Sequence, residues 1–406
     1  MTDPPRGPRA LVSFSVPGYR RLWAGAVLFA LGQWMERVAV GWFVLDTTGS
    51  VFLTAASFAA RSAPSIILGP VAGAVADRYR RSRVLALTAA GTAAVFLVMA
   101  ALVYLDRFSV GALLALVALS GCGMIFSTAN LHALAGDIVG PARLSNAIAL
   151  TSTGQRAVAA LGSVGGGVFI EVLGPGPTFI LAAIPVAAAA VIYAGIPAPA
   201  RNIARSGASL LTDVIEGLRT VVRIPMVALL LGMMVLVEIL GFSYQSLLPV
   251  VAERVLEVDA TGLGGLVAAS SVGSMLGTIA LTLLSDLRRQ GILLVGVFGA
   301  FGLGLIALGL SGWYLVSLLA VCCVGAAAAM VDALEWILLQ KHVPDELRGR
   351  VLGAWGVAIG FGWIGPIVLG AVAARAGAPW ALACAGLVLV SAAAIIGVRA
   401  RSLRSA

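Results

Sequence analysis

Apolar residues in this chain come in long unbroken runs, separated by short polar stretches, and do not alternate with polar positions. The runs fall at roughly 22–45, 51–75, 84–105, 109–134, 146–170, 177–196, 226–250, 262–284, 291–310, 313–339, 351–373 and 379–398. Each is close to the length of about 20 residues that an α-helix needs to cross a bilayer. Membrane β-strands alternate apolar and polar residues over short segments. These runs are continuous and rich in Ala, Leu, Val and Gly, so the pattern predicts helices. Twelve crossings would put both chain ends on one side. Met1 to Tyr19 is polar and proline-rich and lacks the charged, apolar and small-residue order of a cleaved signal peptide. Arg20-Arg21 faintly suggests a twin-arginine export signal, but the run that follows carries Glu36 and Arg37, which suits a resident membrane helix better.

Composition agrees. Of 406 residues 60% are hydrophobic and 11% charged, with mean hydropathy +1.03; a soluble domain has about a quarter of its residues charged. The net charge of +9 would suggest a nucleic-acid partner in a soluble protein, but its placement argues otherwise. With the N-terminus in the cytoplasm, 21 basic residues fall in cytoplasmic segments. Arg107, Arg254 and Arg375 lie on the other side, and Arg37, Arg61 and Arg156 lie within runs. By the positive-inside rule this predicts a multi-pass protein of the inner (plasma) membrane with both termini cytoplasmic and no nucleic-acid partner.

Several chemistries are excluded. Lys341 is the only lysine and is followed by His342, so there is no GxxxxGK[ST] phosphate loop. His132 and His342 are the only histidines, which argues against a histidine metal site. Cys122, Cys322, Cys323 and Cys384 sit inside apolar runs and read as packing residues. Gly302, Gly304 and Ala307 match a dinucleotide fingerprint, but in mid-run, where they read as helix packing. The expectation is no catalytic cluster, no metal and no cofactor.

The linker after the sixth run is the longest. Leu210, Leu211, Val214, Ile215, Leu218, Val221 and Val222 recur there at helical spacing, opposite Asp213, Glu216, Arg219 and Arg223. This predicts an amphipathic helix on the cytoplasmic surface. Around the linker the chain repeats itself. Asp77 after Gly69 and Gly73 matches Asp286 after Gly273 and Gly277, an offset of 209; Val139 matches Val343 at 204, and Gly162 matches Gly365 at 203. The predicted organisation is a cytoplasmic segment 1–21, a six-helix bundle 22–196, the linker 197–225, a second bundle 226–398 and a tail 399–406.

Gly73-Ala-Val-Ala-Asp77-Arg78-Tyr-Arg-Arg81 resembles the signature loop between helices 2 and 3 of the major facilitator superfamily. Val343-Pro-Asp-Glu-Leu-Arg348-Gly-Arg350-Val351 and Asp213-Val-Ile-Glu-Gly-Leu-Arg219 are similar to the enterobactin-exporter and macrolide-efflux branch of its proton-coupled drug antiporters. The resemblance implies an all-α fold of twelve membrane helices in two pseudo-symmetric bundles. In that fold helices 1, 4, 7 and 10 line a central cavity and 2, 5, 8 and 11 flank it. It also implies a conformational latch at Gly73, Asp77, Arg78, Arg81, Asp286, Arg348 and Arg350, and helix packing at Gly162, Gly166, Gly167, Gly365 and Pro366. Two features depart from the antiporter pattern. Helix 5 reads Gly162-Ser163-Val-Gly-Gly166-Gly167 with no proline, and Val117 to Gly121 in helix 4 has no arginine.

Ionisable residues inside membrane helices are costly and mark functional paths. Here Gln33, Glu36 and Arg37 share one stripe of the first run, with Arg61 in the second, Arg156 in the fifth, Glu238 in the seventh, and Asp332 and Glu335 in the tenth. All fall on helices that the resemblance assigns to the cavity or its flanks. Glu36 and Glu238 would lie about 20 Å deep, where desolvation suits a carboxylate to carrying protons; a static pair of Glu36 with Arg37 or Arg156 is the other reading. Asp332 and Glu335 are further proton-coupling candidates, or solvated gate residues. Arg37, Arg61 and Arg156 could hold a carboxylate or an anionic group. Trp34, Trp42, Phe126, Phe242, Tyr244, Trp336 and Trp363 could form an apolar wall, with Ser127, Thr128, Asn130 and Gln245 adding polar contacts. The expected function is export of small hydrophobic or amphipathic, drug-like compounds by alternating access, in exchange for protons, by a monomer in the lipid bilayer. The alternatives are a siderophore or lysophospholipid exporter of the same fold, and a non-transporting membrane receptor or scaffold.

Overall fold

The computed structural model describes residues 9–197, 224–284, 289–343, 355–356 and 358–399. The expected linker helix, Asp286, Arg348 and Arg350 lie outside the described residues.

Local chemistry sets the helix boundaries. A short 3-10 turn, Arg9–Ser15, leads into α1 (Pro17–Thr48), which has proline in its first turn. Gly49 ends α1 in the left-handed conformation (φ 60°), with its N–H bonded to the Leu45 carbonyl at 2.7 Å. Ser50 then caps α2a (Val51–Ser62) by accepting from Leu53 N–H. α2 breaks at Ala63 and Pro64 and resumes as α2b (Ser65–Arg78), because Pro64 has no N–H to continue the ladder. α3 (Arg81–Tyr104), α4 (Val110–Val139, capped by Ser109), α5 (Pro141–Leu173) and α6 (Pro175–Ala194) complete the first half.

The second half opens with α7a (Pro225–Leu236), a π-helical turn at Val237–Gly241 and α7b (Tyr244–Arg254). Asp259 caps α8 (Ala260–Leu283), followed by α9 (Gln290–Leu310), α10 (Tyr314–His342), α11 (Ile364–Ala376, after a 3-10 turn at Phe361–Trp363) and α12 (Ala378–Arg399). No strand occurs among the described residues.

Eleven of these spans are long and apolar enough to cross a membrane. α1 is the twelfth: it has 32 residues, and Gln33, Glu36 and Arg37 dilute its apolar character. Two apolar cores form, one chiefly from α1 and α3–α6 and one chiefly from α7–α12. In the first half α1 packs on α5 and α6, and α3 on α6; in the second, α8 packs on α10 and α9 on α12. The halves meet along two seams, α5 on α8 and α2a on α11. The end where α1 begins is here the near end, and the opposite end the far end.

Several contacts between the halves lie toward the far end. A Cβ on Gly167 would collide with the Ala260 carbonyl, and one on Gly264 with that of Ser163, so α5 and α8 touch backbone to backbone. Ala260 N–H donates to Glu171 Oε2 at 3.2 Å, and the Arg254 guanidinium donates to the Gly49 carbonyl at 2.6 Å. On the other seam Gly370 packs against Ala55.

Gly162 and Gly166 lie against the backbone of α1, and Gly365 against the α7 turn at Ile239 and Ser243. Gly73 makes no such contact. Among the described residues nothing lies within 4 Å of where its Cβ would be, so in this conformation it does not bring two helices together.

Candidate functional site

Between the halves lies a central cavity in two lobes of about 370 and 380 Å³, which share Trp34, Met124 and Gln245. Its lining comes from α1, α2, α4, α5, α7, α8, α10, the α2 break, and α11 with the residues just before it. α3, α6, α9 and α12 contribute nothing to either lobe.

The first lobe opens toward the α2–α11 seam. Arg37, Arg61, Glu238 and Asp332 line it, with Phe58, Phe242 and Pro366 as apolar walls. Arg37 sits with its guanidinium 4.9 Å from the Trp34 ring centre and 5.3 Å from that of Phe58, a cation held by aromatic faces. Glu238 lies in the π-helical turn, where one extra residue per turn re-aims the side chains of α7. Its carboxylate faces Gly362 so closely that a Cβ there would sit 2.9 Å from Glu238 Oε2. Asp332 comes from α10, and Glu335 one turn further on is fully buried, with neither carboxylate oxygen hydrogen-bonded. Glu238, Asp332 and Glu335 lie within electrostatic reach of one another. Among the described residues none of the three carboxylates is ion-paired.

The second lobe opens toward the α5–α8 seam and is lined by Gln33, Arg156 and a series of hydroxyls that includes Ser127, Ser152 and Ser271. Arg156 has no hydrogen bond or ion pair among the described residues, and its nearest charge effect is on Asp332.

In the cavity wall is a buried polar network. Arg61 Nη2 donates to both carboxylate oxygens of Glu36, at 2.8 and 2.7 Å, and Nη1 donates to Gln33 Oε1 and Ser120 Oγ, each at 3.3 Å. Glu36 is fully buried and Arg61 is 6% exposed. The partner of Glu36 is therefore neither Arg37 nor Arg156, the two expected from sequence. Both are cavity-facing, and Arg61 reaches Glu36 from the adjacent helix.

The structure leaves six of the expected aromatic and polar lining residues outside both lobes: Trp42, Phe126, Asn130, Tyr244, Trp336 and Trp363. Asn130 is fully buried, and its amide nitrogen donates to the Phe126 carbonyl one turn back, so it serves its own helix. Phe126 lines neither lobe. Trp336 is 37% exposed and packs edge-on to Trp355 at 5.5 Å. Tyr244 lies behind the wall, its hydroxyl 2.6 Å from Ser270 Oγ.

At the near end Arg81 is buried and bonds across three elements: to the Ala76 carbonyl at 3.0 Å, the Ala133 carbonyl at 2.9 Å and Asp137 Oδ2 at 2.6 Å, with Asp77 at 3.6 Å. Asp137 was not singled out in the sequence, where only its place at the end of a run beside a basic loop could have signalled it.

The model of the Major Facilitator Superfamily matches residues 22–366. The chain belongs to the major facilitator superfamily. As a member it is a multi-pass membrane transporter of small molecules, not an enzyme. It is similar to the staphyloferrin A transporter of Staphylococcus aureus, 22% identical over 81% of this chain and 83% of that one. It is also similar to the enterobactin exporter EntS of Shigella boydii, 26% identical over 86% and 85%. Among solved structures, a POT family transporter in complex with a thioalcohol-conjugated peptide superposes with TM-score 0.78 at 13% identity, covering 95% of this chain and 96% of that one. The nucleoside transporter NupG superposes with TM-score 0.72 at 13% identity, covering 95% and 99%. These superpositions show the superfamily fold.

Proposed function

We propose that this transporter exports small amphipathic molecules in exchange for protons, with the near end in the cytoplasm. The observation that carries the reading is the first lobe. There Glu238 and Asp332 face open space without an ion pair among the described residues, beside the rings of Trp34, Phe58 and Phe242. A proton and a hydrogen-bond donor or cation of the substrate compete for the same carboxylate oxygens. Occupation by one excludes the other, which is the physical requirement for exchange. The aromatic walls accept varied apolar bodies. The cytoplasmic placement of the near end is supported by the 21 basic residues expected on that side against three opposite.

A second reading, export of siderophore-class molecules, is favoured by the likeness to a staphyloferrin A transporter and an enterobactin exporter and by Arg37 and Arg156 facing the cavity. The test uses everted membrane vesicles and ethidium, a lipophilic cation. Ethidium uptake coupled to proton release is expected, with both lost in Glu238→Gln and Asp332→Asn variants that remain folded. Ethidium transport with unchanged proton movement in the double variant overturns the exchange reading. If a siderophore-type carboxylate or catecholate is moved and ethidium is not, the second reading replaces the first.

A further inference from the structure

Two side chains of the second lobe hold unmet donors, and the buried network in its wall accounts for one of them. An arginine guanidinium carries only donors, so the Gln33 atom that meets Arg61 Nη1 has to be the carbonyl oxygen. Ser120 donates to that same oxygen at 3.4 Å. The amide nitrogen of Gln33 is therefore turned away from the pair. Gln33 is 8% exposed, it lines the second lobe, and its Nε2 has no hydrogen-bond partner. A buried amide donor left unmet costs free energy that a bound acceptor recovers. The same lobe holds Arg156, a guanidinium with no hydrogen bond or ion pair among the described residues, whose charge is felt by Asp332 of the other lobe without a direct contact. No carboxylate lines this lobe, whereas Glu238 and Asp332 both line the other.

We infer that the second lobe is an oxyanion subsite of the transport cavity, in which Arg156 and Gln33 Nε2 donate to a carboxylate-type group of the substrate and the buried Glu36–Arg61 pair positions Gln33. This rests on the reading of the cavity as the transport path and names the chemistry at one end of its substrate. Gln33 Nε2 lies under the lobe surface in this conformation, so a bound oxyanion reaches it as the side chains above it yield. The hydroxyls around it suit the remainder of such a group. Ser271 Oγ donates to the Val267 carbonyl and Ser274 Oγ to the Gly325 carbonyl, which leaves both oxygens able to accept from substrate hydroxyl or amide groups. The substrate class is an oxygen-rich molecule with at least one carboxylate-type anion and further donor groups, its apolar or donor-bearing remainder extending past Trp34 and Gln245 into the first lobe.

The experiment is equilibrium binding to the purified full-length transporter in detergent, without any gradient. The probes are a series of aliphatic and hydroxylated carboxylates and their methyl esters. The carboxylates are expected to bind and the esters to bind at least 10-fold more weakly. Arg156→Gln and Gln33→Leu should each weaken carboxylate binding roughly 10- to 100-fold, the range for a hydrogen bond to a charged group. Gln33→Glu is the sharper variant. It keeps the acceptor that Arg61 and Ser120 require but replaces the donor with a second acceptor, and it should abolish binding while the protein remains folded. Equal binding of acids and esters, or unchanged carboxylate affinity in Arg156→Gln and Gln33→Glu, overturns the subsite. Because no proton movement is read, carboxylate binding can stand while the exchange reading fails, and the reverse.

Discussion

At the same crossing in its two halves the molecule makes two different bonds. In the N-terminal half Gly121 of α4 packs on the backbone carbonyl of Arg61, and the Arg61 side chain closes on Glu36. In the C-terminal half Gly325 of α10 packs on the carbonyl of Ser270, and the Ser270 hydroxyl meets Tyr244. Glu36 and Tyr244, like Arg61 and Ser270, stand half a chain apart at the offset of the internal repeat. The close backbone approach is common to both halves, while a buried ion pair in one is a neutral hydrogen bond in the other. The crossing itself therefore does not require charge. The N-terminal half spends its charge on a fixed pair that orients Gln33. The C-terminal half is neutral at this point and carries Glu238, Asp332 and Glu335 elsewhere, without ion pairs among the described residues.

The largest expected effect comes from breaking the pair. Arg61→Ser leaves Glu36 fully buried without its countercharge and should destabilise the protein by about 3–5 kcal/mol. Replacing both members, Glu36→Tyr with Arg61→Ser, copies the C-terminal half and should recover most of that loss, because removing a buried pair together is often close to neutral. Thermal unfolding of the two variants measures the difference. Equal destabilisation in both would mean that the N-terminal crossing needs its charge after all.

A second contrast separates two glycines on matching helices of the halves. Gly277 of α8 lies on the Ala326 carbonyl of α10, whereas Gly73 of α2b meets nothing within 4 Å among the described residues. Gly277→Ala should cost about 1–3 kcal/mol by overpacking. Gly73→Ala should be neutral or slightly stabilising, since alanine favours a helix by up to about 1 kcal/mol over glycine. Unfolding midpoints check the pair. A Gly73→Ala protein that is stable but transports slowly would show that this surface closes in another conformation of the cycle.

The helices were legible in the sequence because each apolar run must match the bilayer, and the repeat was legible because both halves reuse the same turns. The cavity charges were legible too, since a charge in an apolar run has few places to go. Partners across helices were not. Arg61 meets Glu36, and Arg81 meets Asp137, through helix packing that no local spacing encodes. Pro64 was in plain view, yet the run from 51 to 75 read as one span, because hydropathy is blind to a missing N–H. The π-helical turn that presents Glu238 has no sequence signal of its own in Val237–Gly241. Asn130 and Trp336 were polar or aromatic on the expected helices, but which face of a helix meets the cavity depends on packing, and theirs do not.

The smallest expected effect tests the remaining mismatch between the halves, Arg37 against its repeat counterpart Gln245, both of which line the first lobe. Among the described residues Arg37 has no carboxylate ion pair, and it is stacked on Trp34 and Phe58. Arg37→Gln makes the two halves alike at this position. It should cost about 0.5–2 kcal/mol in stability through the lost cation–π contacts. It also removes a positive charge beside the site proposed for ethidium, so KM for ethidium should fall about threefold, the scale of one screened charge in a hydrated cavity. Arg37→Lys separates the two contributions: it keeps the charge but not the planar stacking surface. Its KM should stay near that of the native protein while its unfolding temperature drops. If Arg37→Lys lowers KM as far as Arg37→Gln does, the rings, and not the charge, set the lobe's preference.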